Sequence, residues 1–155
     1  MGKILQTKSG FTLVELLVAV LILGFVLVGL IQVFVRCSVL AELARNKTTA
    51  MSEIQGKMEE IRNYSFNSIA TDYAFGGSQG NTFSLTQLTG MGIIYIDSSN
   101  ADLLEIKIVA SWQNKYGRII GEDLDLDGAL DTGEDTDGDG DLSSIATLEG
   151  MVAER

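Results

Sequence analysis

A chain of 155 residues with no histidine and a single cysteine excludes several chemistries at once. Ser/His and Cys/His nucleophile pairs and an internal disulfide are ruled out, and the length allows one small domain beyond any anchor. The formal charge of −10 sits in the C-terminal quarter, because residues 1–118 carry a net +1 and residues 119–155 a net −11.

No basic patch interleaved with aromatics suggests direct nucleic-acid binding. Gly76-Gly77-Ser78 lacks the lysine of a phosphate-binding loop. Paired carboxylates occur only in one acidic stretch near the C-terminus, so an enzyme is not expected.

In chain order, the first element is an apolar run. From Leu16 to Ile31 no side chain is polar, and from Phe11 to Val35 only Thr12, Glu15 and Gln32 interrupt 25 positions. At about 1.5 Å per residue, such a helix crosses a hydrocarbon core of roughly 30 Å. Lys3 and Lys8 precede it and hold that end in the cytoplasm. A secretory signal would place small residues after the apolar run. Here Ser9-Gly10 lies before it.

The stretch KSGFTLVELLVAVLIL resembles the prepilin leader of type IV pilins and type II secretion pseudopilins. The resemblance covers about Lys8 to Leu23 and implies three things. A membrane peptidase cuts between Gly10 and Phe11. The new N-terminus, Phe11, is methylated. Glu15 matches the glutamate five residues into the mature chain, where it serves assembly. Physical chemistry singles out Glu15 as well, since a charge at the centre of a membrane helix costs about 2.5–3.5 kcal/mol and is retained for a partner. That partner is the free amine of Phe11, on the same or a neighbouring subunit. The plainer alternative is a signal anchor with Glu15 reaching to the membrane surface.

The helix is expected to continue past the membrane. From Arg36 to Asn63 the residues Leu40, Leu43, Ala44, Met51, Ile54, Met58 and Ile61 form one apolar stripe, mostly three or four apart. That stripe reads as a core face, with Glu53 and Lys57 spaced for an i,i+4 ion pair on the wet side. Cys37 reads as a small packed hydrophobe. Many major pilins kink this helix at a proline. This chain has none, which leaves Gly24 and Gly29 as the places to bend.

Asn63–Gly80 reads as a connecting loop, with Tyr64, Phe66, Tyr73 and Phe75 as candidates to tuck into the head. Strand signals follow around Phe83 and Leu85. Gly90–Gly92 reads as a turn, Ile93–Ile96 as a strand, and Asp97–Asn100 as a second turn. Leu103–Trp112 is the clearest strand, with Leu104, Ile106, Ile108, Ala110 and Trp112 on one face and Glu105, Lys107 and Ser111 opposite. Short turns imply an antiparallel meander, and a last strand is expected over Thr147–Ala153.

Between the last two strands lies GEDLDLDGALDTGEDTDGDGDLSS, residues 121–144. Asp123, Asp125, Asp127, Ala129 (through its carbonyl), Asp131 and Glu134 occupy places 1, 3, 5, 7, 9 and 12 of an EF-hand-type loop, with Gly128 at the sixth place. Leu130 would be the apolar eighth residue. Asp135, Asp137, Asp139, Asp141 and Ser143 begin a second loop whose twelfth place is Ala146. Strands rather than helices flank the stretch. The expected ligand is a structural Ca²⁺ that folds the stretch. A solvated, disordered acidic loop is the alternative.

These readings combine into an α+β protein with four segments: a leader (1–10), a membrane and assembly helix (11–35), an amphipathic continuation (36–63), and a β head (64–155) containing the calcium loop at 121–144. The long helix packs on a small antiparallel sheet, resembling the pilin roll. The resemblance implies a single-pass bacterial inner-membrane protein with its head outside the cytoplasm, later moving into a pilus or periplasmic pseudopilus. The implied partners are other pilin subunits, prepilin peptidase, inner-membrane assembly machinery and the lipid bilayer. By analogy, a short head without the proline leans toward a minor subunit. A membrane-anchored calcium-binding module outside any filament is the second reading.

Overall fold

The computed structural model describes residues 10–154, so the expected leader, apart from Gly10, lies outside the described residues. The chain forms two compact units, Met1–Glu42 and Leu43–Arg155. Helix α1, Leu13–Arg62, contributes to both over 50 residues. The Glu15 N–H donates to Thr12 Oγ1 at 3.2 Å, so Thr12 caps the helix and Glu15 stands at its third position.

Among the described residues of the first unit the apolar side chains stand exposed, and Cys37, expected as a small packed hydrophobe, is exposed with them. The span within α1 has a mean hydropathy of 3.0 and none of it is buried. Phe25 and Phe34 are 78% and 72% exposed. A face of this extent needs lipid or neighbouring helices.

In the second unit α1 packs against a sheet. Ala50, Ile54, Met58 and Ile61 are buried, four, four and three residues apart, the spacing of one helical face. Expected strands and turns differ from the structure in several places. Asn63–Gly80 is not all loop, since it holds a short helix α2, Phe66–Asp72, too brief for a periodic signal. Of its aromatics, Tyr73 is buried and meets Tyr64 edge-to-face at 5.3 Å, whereas Phe75 is 91% exposed. Burial, followed by the charge of Glu60, pushes the Tyr73 hydroxyl up from its usual range. Glu53 does not pair with Lys57. Its carboxylate accepts from the Thr86 and Gln87 N–H groups at 2.6 and 3.0 Å, holding that turn, and Lys57 bonds Glu60 at 2.9 Å.

The sheet has five antiparallel strands: β1 (Thr82–Ser84), β2 (Gly90–Asn100), β3 (Leu103–Gln113), β4 (Ile119–Ile120) and β5 (Ala146–Ala153). Gly90–Gly92, expected as a turn, opens β2 instead. The Phe83 ring lies where a Gly92 Cβ would be, so the glycine is there for close approach rather than for turning. Asp97–Asn100 is also strand, carried through a register shift.

One face of the sheet meets α1 through Ile94, Leu104, Ile106, Ile108, Ala110 and Trp112. β4 and β5 both pair with the same strand, β3. Ile120 faces Trp112 and Ala146 faces Ala110, so residues 121–145 leave and re-enter the sheet within one rung, the rung opposite Ser111.

Candidate metal centre

The acidic segment 121–145 does not hang in solvent. It covers the sheet face turned away from α1, where Ile93, Val109 and Ser111 are buried together with Leu142 and Asp123. Gly121 lies against the Ser111 side chain and Gly128 against Thr82 and Met91, positions that a Cβ would close. The Leu142 N–H donates to the Tyr95 hydroxyl at 2.8 Å. Lys107 reaches Asp141 at 3.1 Å and Asp139 at 3.6 Å, and lies 5.6 Å from the Tyr95 ring centre. The polar outer face expected for Lys107 and Ser111 is therefore largely covered.

Within the segment the carboxylates converge. Ligand oxygens of Asp123, Asp125 and Glu134 come within 4.8 Å of one another, as do those of Asp125, Asp127 and Asp131, and those of Asp135, Asp137 and Asp139. Five of the six predicted first-loop residues thus fall in two groups that share Asp125. Ala129, the sixth, donates its N–H to Asp127 at 2.7 Å. In the second loop three gather. Asp141 turns to Lys107 instead, and the Ser143 N–H donates to Glu122 at 2.8 Å.

The backbone wraps each leading aspartate in the same way. Gly128 N–H donates to Asp123 and Gly140 N–H to Asp135, both at 3.1 Å. These sixth-place glycines have φ of 79° and 86°, a conformation that excludes most side chains. The eighth places differ. Leu142 is fully buried, whereas Leu130 is 42% exposed, so the second loop supplies the anchor that was expected of the first.

Electrostatics divide the carboxylates. Burial pushes Asp123 above the usual carboxylate range, opposed by backbone N–H donors and reinforced by the charge of Glu134. The Thr136 hydroxyl holds Glu122 below it, as the Asp141 N–H does for Asp139. A donor set made only of carboxylate, hydroxyl and carbonyl oxygens suits a hard divalent cation and no soft metal.

Glu122 is the carboxylate that the expected ligand set left out. Its signal is a period. Residues 121–132 (GEDLDLDGALDT) and 133–144 (GEDTDGDGDLSS) are a tandem repeat, and Glu122 stands where Glu134 stands in the next copy.

At the other end of the chain, Gly10, Phe11 and Glu15 are exposed, with Glu15 on the first turn of α1. A search of curated proteins and of solved structures finds no significant match. The family model for the prokaryotic N-terminal methylation motif matches residues 5–31. That motif leads into a long apolar helix, and the second unit carries a small antiparallel sheet, features that support the resemblance to type IV pilin- and pseudopilin-like proteins.

Proposed function

We propose that this chain is a structural subunit, of the minor kind, of a type IV pilus or type II secretion pseudopilus, with a head held together by calcium. The observation that carries the reading is the methylation motif at residues 5–31 running into an apolar helix whose span is unburied and holds one carboxylate, Glu15. Prepilin peptidase cuts between Gly10 and Phe11 and methylates Phe11. The subunit waits in the inner membrane, head outside the cytoplasm, until the assembly machinery extracts it. The apolar helices of neighbouring subunits then replace lipid, and Glu15 of one meets the Phe11 amine of another.

Calcium acts on the head, not on assembly. The ions are held by Asp123, Asp125, Asp127, the Ala129 carbonyl, Asp131 and Glu134, and by Asp135, Asp137, Asp139, Asp141 and Ser143. Bound there, they neutralise carboxylates that otherwise repel one another, and so pin residues 121–145 to the outer face of the sheet.

The intact mass of the protein extracted from its native membrane tests the processing step. The expected mass lacks residues 1–10 and carries one added methyl group on Phe11. An intact leader overturns the filament reading in favour of a calcium-binding module that stays anchored.

A further inference from the structure

We propose that the outer edge of β5 takes up an extended segment of a partner protein, one that alternates lysine or arginine with apolar side chains. The inference goes beyond the filament and cation readings and depends on neither.

The register of the sheet shows which backbone groups of β5 are left over. Glu154 N–H donates to the Asp102 carbonyl, one rung beyond the Leu103–Ala153 pair, and bonded rungs alternate along an antiparallel ladder. Leu148, Gly150 and Val152 therefore bond β3. Gln113 N–H donating to the Thr89 carbonyl gives the same alternation from the other side, where odd-numbered residues of β3 bond β2. The N–H and C=O groups of Thr147, Glu149, Met151 and Ala153 point away from β3. Among the described residues no strand lies there.

Such an edge is a template for a further strand unless it is blunted. β1 and β4 are blunted by length, at three and two residues. β5 runs for eight residues, ATLEGMVA, without proline or lysine and in unbroken register. Met151 on it is 62% exposed.

Room for side chains exists on both faces of this edge. On the α1 face a cavity of about 380 Å³ lies between Leu148 and the helix residues Gln55, Met58 and Arg62. On the opposite face a cavity of about 540 Å³ is bordered by Tyr95, Asp97, Glu105, Lys107, Glu149 and Met151. Residues of an added strand turn alternately to these two faces. Strand addition draws affinity from the main chain and specificity from such pockets.

Charge selects the occupant. Asp97 stands directly opposite Glu105, an unfavourable pairing of like charges. Lys107, opposite Glu149, is drawn away to Asp139 and Asp141. Asp97, Glu105 and Glu149 thus have no ion-pair partner among the described residues. A lysine or arginine of the incoming strand, paired with Glu149 or Met151, falls on this face. Its neighbours turn towards Met58 and Leu148 and are apolar. A second copy of β5 in the same place sets these carboxylates against their own duplicates, which like-charge repulsion disfavours.

The test uses the full chain, ¹⁵N-labelled, in neutral-detergent micelles, titrated with a seven-residue peptide alternating lysine with valine. Amide hydrogen exchange is read residue by residue. Thr147, Glu149, Met151 and Ala153 are expected to slow about tenfold at saturating peptide. Leu148, Gly150 and Val152, already bonded to β3, change little. A peptide methylated on its lysine amide nitrogens gives no such pattern, because its main chain cannot donate. Glu149→Lys reverses the charge at the rim of the outer cavity and weakens the peptide about tenfold or more. If thermal unfolding shows that variant to be unfolded, Glu105→Gln, which also removes the repulsion with Asp97, is read instead and weakens the peptide severalfold.

The four amides exchanging as fast with peptide as without it overturn the proposal. A folded variant that binds as the parent does, or equal binding of a glutamate–valine peptide, also overturns it. Protection of the same four amides that needs no peptide and grows with protein concentration assigns the edge to a second copy instead.

Discussion

Removing calcium from the full chain in micelles is expected to lower the melting temperature of the head by about 20 °C. Two sites held at a hundredfold excess over their dissociation constants contribute about 2.7 kcal/mol each. For a unit of this size every kcal/mol moves the midpoint by several degrees. Ten carboxylates lie between Glu122 and Asp141, and Asp123 among them is fully buried. Without a cation their repulsion opposes the same fold that Leu142 and Lys107 draw against the sheet. Magnesium should restore less, because it demands tighter octahedral geometry and keeps its water. Thermal unfolding followed by circular dichroism, in calcium and in chelator, measures this. Coincident curves would count against a structural cation.

The second large effect belongs to Trp112. It is fully buried in the row where β3 passes between Gly90 of β2 and Ile120 of β4, and a Cβ on Gly90 would strike the Trp112 side chain. Replacing a large aromatic in such a site with alanine costs about 3–5 kcal/mol, through lost burial and the cavity left behind. That is a large part of the roughly 5–15 kcal/mol available to a domain.

Trp112→Phe should cost far less than its lost area suggests. The indole Nε1 has no hydrogen-bond partner among the described residues, and a buried orphan donor costs about 1–3 kcal/mol, a penalty that phenylalanine removes. Urea unfolding of both variants separates the two contributions. A phenylalanine variant as unstable as the alanine one would contradict this view of the core.

How much was legible in the sequence depends on how many faces each element buries. Ile54, Met58 and Ile61 were visible because α1 buries a single stripe in the second unit. Leu40 and Ala44 of the expected stripe are exposed, and buried Ala50 lay outside it. Leu104 to Trp112 were visible because β3 turns every second side chain into the core. The outer face of β3 was misread. Val109 and Ser111 are buried by a segment distant in sequence, and alternation cannot reveal a cover supplied from elsewhere. Gly90 and Gly92 carried the local signature of a turn, but tertiary approach by Trp112 and Phe83 is what calls for glycine there.

The convergence of the acidic side chains was legible because their spacing encodes it within one loop. Glu122 was not, because its partners Thr136 and Ser143 lie in the next copy of the repeat. At the N-terminus the apolar run and Glu15 were plain, since nothing but a membrane or a bundle accommodates both.

The claim on which the function rests is that Glu15 and the Phe11 amine bring subunits together. It is tested most directly in cells carrying the chain's own assembly system, by comparing how parent and Glu15→Leu partition between sheared fibres and the inner membrane. Leucine inserts in lipid more readily than glutamate, so the variant should accumulate in the membrane. Its share of the fibre fraction should fall about tenfold or more, the effect of losing a charged bond worth about 1.5–3 kcal/mol. Glu15→Leu entering fibres as readily as the parent would contradict it.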